Sequence, residues 1–460
     1  MPSRLQKALR KGLAPGGNLA DELFRLGEYV IADEDDAREV CEALKQFPLP
    51  ASPQDDFFQG WTPLHAVTAL FQQIDNDSVF AVLFEHGIPE LIRVFDALLD
   101  RAADDDSGGD DVDAGEPAST ARRGDADALL FVLKILVMYQ SSDGMARVVE
   151  AARLPLKPES YLWSVVFEQF DQAQSFLPWL FKELSRPLPT GFIAVALLDC
   201  ANQALIAGHV DEHPFDTPTG RKRLEAWLTS DDRGDHSYAV SAAAALPFIR
   251  KPHRERLLAL ALDHTDPKVQ LEAAWASATI GSAAGVKYLR RLCLSPATSA
   301  SACSYLRELG RDDLIPKEAM EPQFLAMVDL CTWLAGSSDY GRVPDHIELR
   351  DTRELVWPPT GDRRRVWLFR FIYYADVSDS ASGGPAYKTP ADGDQVGIGM
   401  VGSVTYVLRG ETTPDQPPLD VYALHCCWEL QVNKDPRAPS ERSVHAGRSI
   451  LAEYNPEQQD

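Results

Sequence analysis

Four short stretches hold the side chains best suited to chemistry. The first is His209-Val210-Asp211-Glu212-His213-Pro214-Phe215-Asp216. Two imidazoles four residues apart, among carboxylates, are a donor set for a divalent ion. Pro214 and the polar composition instead predict a solvated connector without fixed ligand geometry. The second is His425-Cys426-Cys427, where a thiol and an imidazole could form a nucleophile–base pair. Adjacent cysteines on a helix point about 100° apart and cannot share a tetrahedral metal site unaided. His445 could contribute, but no spacing requires it, so core cysteines with a satisfied histidine are expected.

The third stretch, Gly397-Ile398-Gly399-Met400-Val401-Gly402, spells GxGxxG. A dinucleotide loop needs a strand before it and a helix opening within it. Here Ser403-Val404-Thr405-Tyr406-Val407 follows, which is strand-forming, so the glycines are expected to relieve crowding or allow a bulge within a sheet. The fourth, Arg363-Arg364-Arg365, is the densest basic spot, beside Trp357 and a strand-forming aromatic run. It could meet an acidic partner or RNA, and the acidic stretch 104–116 could fold back to neutralise it. Walker A, HExxH, GxSxG, EF-hand and zinc-finger spacings are absent from the sequence. No catalytic, cofactor-binding or metal-binding residue is therefore assigned, and no cofactor is expected.

The elements that must position these groups are mostly helices. The chain has 460 residues, 69 acidic and 45 basic, for a net charge of -24. That balance argues against a nucleic-acid partner, which needs local positive charge. Seven scattered cysteines without a CxxC pair predict reduced thiols and a cytoplasmic location. The basic amino terminus lacks an apolar core segment and does not read as a secretory signal. The longest apolar run, Ala128 to Tyr139, contains Lys134 and is too short to span a bilayer, so a buried helix and no membrane partner are expected.

Residues 1–100 read as a helical region, with Asn18 as a cap and Asp35 and Asp36 opening a further helix. Thr62-Pro63-Leu64-His65-Ala66 matches an ankyrin opening, but one copy cannot bury its faces, so it reads as a helix start. Residues 101–124, rich in Asp and Gly, read as a disordered acidic loop or linker. Residues 125–335 show apolar positions at three and four, with short breaks at Pro, Gly or Asp. Residues 342–460 change period. Val366 to Tyr374 is apolar on both faces, as in a central strand, with Arg370 needing a neighbour to satisfy it. A second strand region at 396–409 and a helix at 418–432 complete a small α+β domain, its antiparallel sheet covered on one side by the helix.

One repeat stands out. Asp266-Pro267 through Ala273 to Gly281 aligns with Ser295-Pro296 through Ala302 to Gly310 at a shift of 29 residues. A looser copy runs through Tyr238, Ala242, Ala243 and Ala245. Proline would open each first helix, alanines allow close packing, and glycine ends the helix. Residues 230–316 resemble HEAT repeats, in the short style of phycobilin-lyase-like proteins, and the resemblance extends more weakly across 125–229 and to 19–100. It implies a mainly α fold: an α-solenoid of helical hairpins followed by the α+β domain. Most proteins of that family are binding scaffolds; a minority are enzymes.

The expected function is therefore non-enzymatic protein–protein binding or assembly scaffolding. Arg254, Lys287, Arg290 and Arg291 are the expected contacts with an acidic protein partner. Two alternatives stand beside it. An enzyme would gather Arg370, His425 and His445 in one pocket. A nucleic-acid binder would show a continuous positive stripe.

Overall fold

The computed structural model describes residues 2–25, 29–47, 63–72, 76–105, 117–154, 156–230, 232–375 and 393–457. The protein is mainly helical, with a four-stranded antiparallel sheet towards its carboxyl end. It divides into two compact units, Met1–Leu257 and Leu258–Asp460.

In the first unit the basic amino terminus is part of the core. Ser3 and Gln6 cap each other at the start of helix Arg4–Leu13. Ser3 Oγ also donates to Asp36 Oδ1 of helix Glu34–Lys45 at 2.6 Å, and Leu5, Ala8 and Leu9 are buried. Pro63 opens helix Pro63–Gln72, while Thr62 lies outside the described residues. The apolar run Ala128 to Tyr139 is buried, as expected, in helix Pro117–Met138. No helix among the described residues is long and apolar enough to cross a membrane.

The ends of the expected acidic linker are helical. Residues 101–105 finish helix Ile88–Asp105, and 117–124 open helix Pro117–Met138; residues 106–116 lie outside the described residues. Extending a helix from a buried segment needs no new nucleus, and Pro117 suits a first helical position. Helix Ser142–Arg153 follows, capped by Ser141.

The second unit begins with helical hairpins. Asp266 caps helix Pro267–Thr279 by accepting from Lys268 N–H at 2.7 Å. Gly281 follows at φ +88°, a left-handed position that allows the chain to reverse. Helix Ala283–Leu292 then packs Leu289, Leu292 and Cys293 against Leu271, Ala274 and Ala278. The aligned second copy differs at its start. Its helix is Ser299–Glu308, so Pro296 lies in the preceding turn rather than at the first helical position. Thr298 instead ties that turn back, donating Oγ1–H to the Leu292 carbonyl at 3.0 Å.

The sheet is a meander in the order β1 (His346–Val356), β2 (Arg363–Tyr373), β3 (Gln395–Val401) and β4 (Thr405–Tyr406). β2 is central, as its two apolar faces predicted. Val366 and Leu368 pack with Tyr422, Cys426 and Leu430 of helix Pro418–Val432. Phe369, Phe371 and Tyr373 pack with Ala326, Leu330 and Leu334 of helix Pro322–Gly336. The sheet is therefore covered on both faces, not one. Helix Pro322–Gly336, expected at the end of the helical array, is its second cover. The expected strand 396–409 is a hairpin that turns at residues 402–404, and 443–454 forms helix Val444–Tyr454. Residues 376–392, between β2 and β3, lie outside the described residues.

Candidate binding surfaces

Helix Ala283–Leu292 carries three of the four expected contact residues. Its N-cap Ser282 and its buried Leu289 and Leu292 fix which side faces inward. Lys287, Arg290 and Arg291 are then left exposed. Among the described residues no carboxylate pairs with any of them. The Arg291 guanidinium lies over the Tyr288 ring, 4.1 Å from its centroid, which holds it in a defined position. Arg290 and Arg291 also sit in the last turn, where positive charge favours the helix end.

The fourth residue, Arg254, does not belong with them. It is half-buried, and its Nη1–H donates to the Pro247 carbonyl at 3.2 Å. Its position at the start of helix His253–Leu262 turns it back onto the preceding segment. It holds that turn and is not an exposed contact.

The Arg363–Arg365 cluster and Arg370 are neutralised locally. Arg364 pairs with Asp362 at 2.7 Å, Arg365 with Glu354 at 2.8 Å, and Arg363 with Glu354 at 3.7 Å. The carboxylates beside the Arg363–Arg365 cluster are thus on its own hairpin. Arg370 pairs with Glu348 at 3.0 Å, directly opposite on β1. That satisfies the arginine of the central strand.

The residues that would mark an enzyme have separate surroundings. Arg370 is in its ion pair, His425 is fully buried, and His445 is exposed beside a cleft of about 330 Å³ with Leu419 and Arg448. Cys426 and Cys427 are buried as expected, and burial pushes both thiols up, away from the reactive thiolate. His425 departs from expectation: neither ring nitrogen has a hydrogen-bond partner among the described residues. Burial pushes its pKa down to about 3, so the ring is neutral.

Gly397 to Val401 of the GxGxxG segment lie in strand β3, Gly402 is in the turn that follows, and the strand's glycines make room. A Cβ at Gly397 would lie 2.3 Å from Phe371 Cζ on the facing strand; one at Gly399 would lie 2.8 Å from Leu330. Large rings over glycine are a recurrent way to fill a sheet face. No helix opens there to receive a phosphate.

The His209–Asp216 segment is not the solvated connector its composition predicts. His209 is exposed, but His213, Phe215 and Asp216 are buried. His213 accepts the Phe215 N–H at Nδ1 (3.1 Å) and bonds Asn202 Oδ1 through Nε2 (3.1 Å). Both nitrogens are thus committed, and the two imidazoles do not share a ligand site. Among the described residues no group of three His, Cys, Asp or Glu side chains could hold a metal ion.

Sequence reasoning missed a cleft of about 830 Å³ in the second unit. Trp333, Tyr406 and Trp428 meet there. Tyr406 stacks on Trp428 at 4.1 Å, and Trp333 meets Tyr406 edge-on at 5.2 Å. Arg409–Asp339 (3.2 Å) and Arg442–Glu411 (2.6 Å) pair along its margin. The three rings come from two helices and a two-residue strand, so no local spacing marks them.

No known protein family, curated protein or solved structure matches this chain.

Proposed function

We propose that the chain is a non-enzymatic protein-binding scaffold of HEAT-like helical hairpins. Its contact with an acidic protein partner is the exposed face of helix Ala283–Leu292. One observation carries the reading. Lys287, Arg290 and Arg291 lack a carboxylate partner among the described residues, although the chain carries 69 acidic residues. Arg363, Arg364, Arg365 and Arg370 of the sheet, by contrast, are paired at home. Cations left free in so acidic a protein are available to carboxylates on another molecule, where they steer encounter and fix register.

The test is capture of a partner from the native host by the intact chain and by the Arg290→Glu/Arg291→Glu variant. Both side chains are exposed, so the variant keeps the fold. The expected result is a salt-sensitive partner whose recovery falls at least tenfold, on the order of 1.4 kcal/mol or more. Equal recovery by both proteins would overturn the assignment.

A further inference from the structure

The first unit holds a cleft of about 970 Å³ beside the His209–Asp216 segment. That volume is within the range of roughly 300–1,000 Å³ used by small-molecule sites. Its wall is rigid. His213 is held at both ring nitrogens, and its ring lies parallel to Phe248, at 4° and 6.2 Å. Phe181 and Phe248 supply apolar lining.

The charged groups are organised by one carboxylate. Asp216 accepts from Arg221 Nη1 at 2.7 Å and from Arg250 Nε. Both guanidiniums also reach the Asp216 carbonyl, at 3.1 and 3.4 Å. Burial alone would raise this carboxyl; the bonds from Arg250 and Arg221 outweigh it and hold the group below the ordinary carboxylate range. One carboxylate offsets only one of its two arginines. Lys182 and Arg186 stand exposed on the margin with no carboxylate partner among the described residues. Asp211 and Glu212 are exposed on the same lining. Four cations thus face three carboxylates, a positive balance in a chain of net charge -24.

We propose that this cleft binds a phosphorylated sugar. The phosphate is held by Arg186, Lys182 and the open edge of the Arg250 guanidinium. A phosphate offers three acceptor oxygens and a charge of about -1.5 to -2, which suits several converging donors. Asp211 and Glu212 would repel a bare anion, but they accept hydrogen bonds from hydroxyl groups. The two acids therefore favour a ligand with hydroxyls over a simple polyanion. Phe181 and Phe248 pack against its carbon face.

The experiment is isothermal titration calorimetry of the full chain with ribose 5-phosphate, ribose and inorganic phosphate. It is repeated on the Lys182→Ala/Arg186→Ala variant, which changes only exposed side chains. The expected result is saturable binding of ribose 5-phosphate with Kd below about 1 mM. Ribose and inorganic phosphate should each bind at least tenfold more weakly. The variant should lose at least tenfold for ribose 5-phosphate. Absence of saturable binding, equal affinity for ribose or inorganic phosphate, or unchanged affinity in the variant would each overturn the proposal.

Discussion

Among the buried imidazoles are those of His65, His213 and His425. Burial is the largest cause pushing them down, to about 4, 3 and 3 respectively. In the unfolded chain each titrates near 6.5. Between about pH 6.5 and pH 4 the unfolded state therefore binds more protons, and stability rises with pH through that window. Read downwards, stability is complete above about 6.5 and is lost as pH falls, by up to roughly 1.4 kcal/mol per pH unit for each group. The urea midpoint should fall steeply as pH drops from about 6.5 to 5. His425→Leu should make the fall shallower. A midpoint independent of pH across that range would contradict this account. The burial of His425 was legible, because Leu424, Cys426 and Cys427 flank it. Its lack of partners was not, because that depends on which groups the surrounding elements bring near. His213 was misjudged for the opposite reason. Polar neighbours hid a residue that the fold buries against Asn202 and Phe248.

At the scale of the element, β2 was legible and β1 was not. β2 is apolar on both faces, so its run of nine strand-forming residues from Val366 to Tyr374 cannot be mistaken. β1 carries Glu348, Arg350, Asp351, Arg353 and Glu354, as suits an edge strand. Its phase is also broken by a bulge between Leu349 and Asp351. Ile347 and Leu349 reach the face covered by helix Pro322–Gly336, while Leu355 reaches the face covered by helix Pro418–Val432. No single period of two describes that strand. Of the two roles expected for the glycines of β3, relief of crowding is the one seen at Gly397 and Gly399, and this makes a direct prediction. Gly397→Ala should destabilise the protein by roughly 1–3 kcal/mol, because the new methyl meets the Phe371 ring. Pairing it with Phe371→Leu should cost less than the two single changes summed, as urea unfolding of the four proteins would measure. Strict additivity would show that the two positions do not share that space.

At the scale of the whole molecule, the class of fold was legible from punctuation. Pro267 and Gly281 sit where a helix opens and where it ends, and the alternation of such residues with apolar faces predicted most of the helices. The division of the chain was less legible. Helix Pro322–Gly336 has the same composition as the helices before it, yet Leu330 and Leu334 belong to the sheet's core. Only the partner surface distinguishes it, and that surface lies in strands far along the chain. The scaffold reading likewise depends on a surface: the cations of helix Ala283–Leu292 must face another protein. The most direct test places a photo-crosslinking amino acid at Lys287 in the native host, with the same group at exposed Lys251 as a control. The account predicts cross-links from position 287 to an acidic segment of a partner, well above those from position 251. Equal or absent cross-linking from position 287 would contradict it.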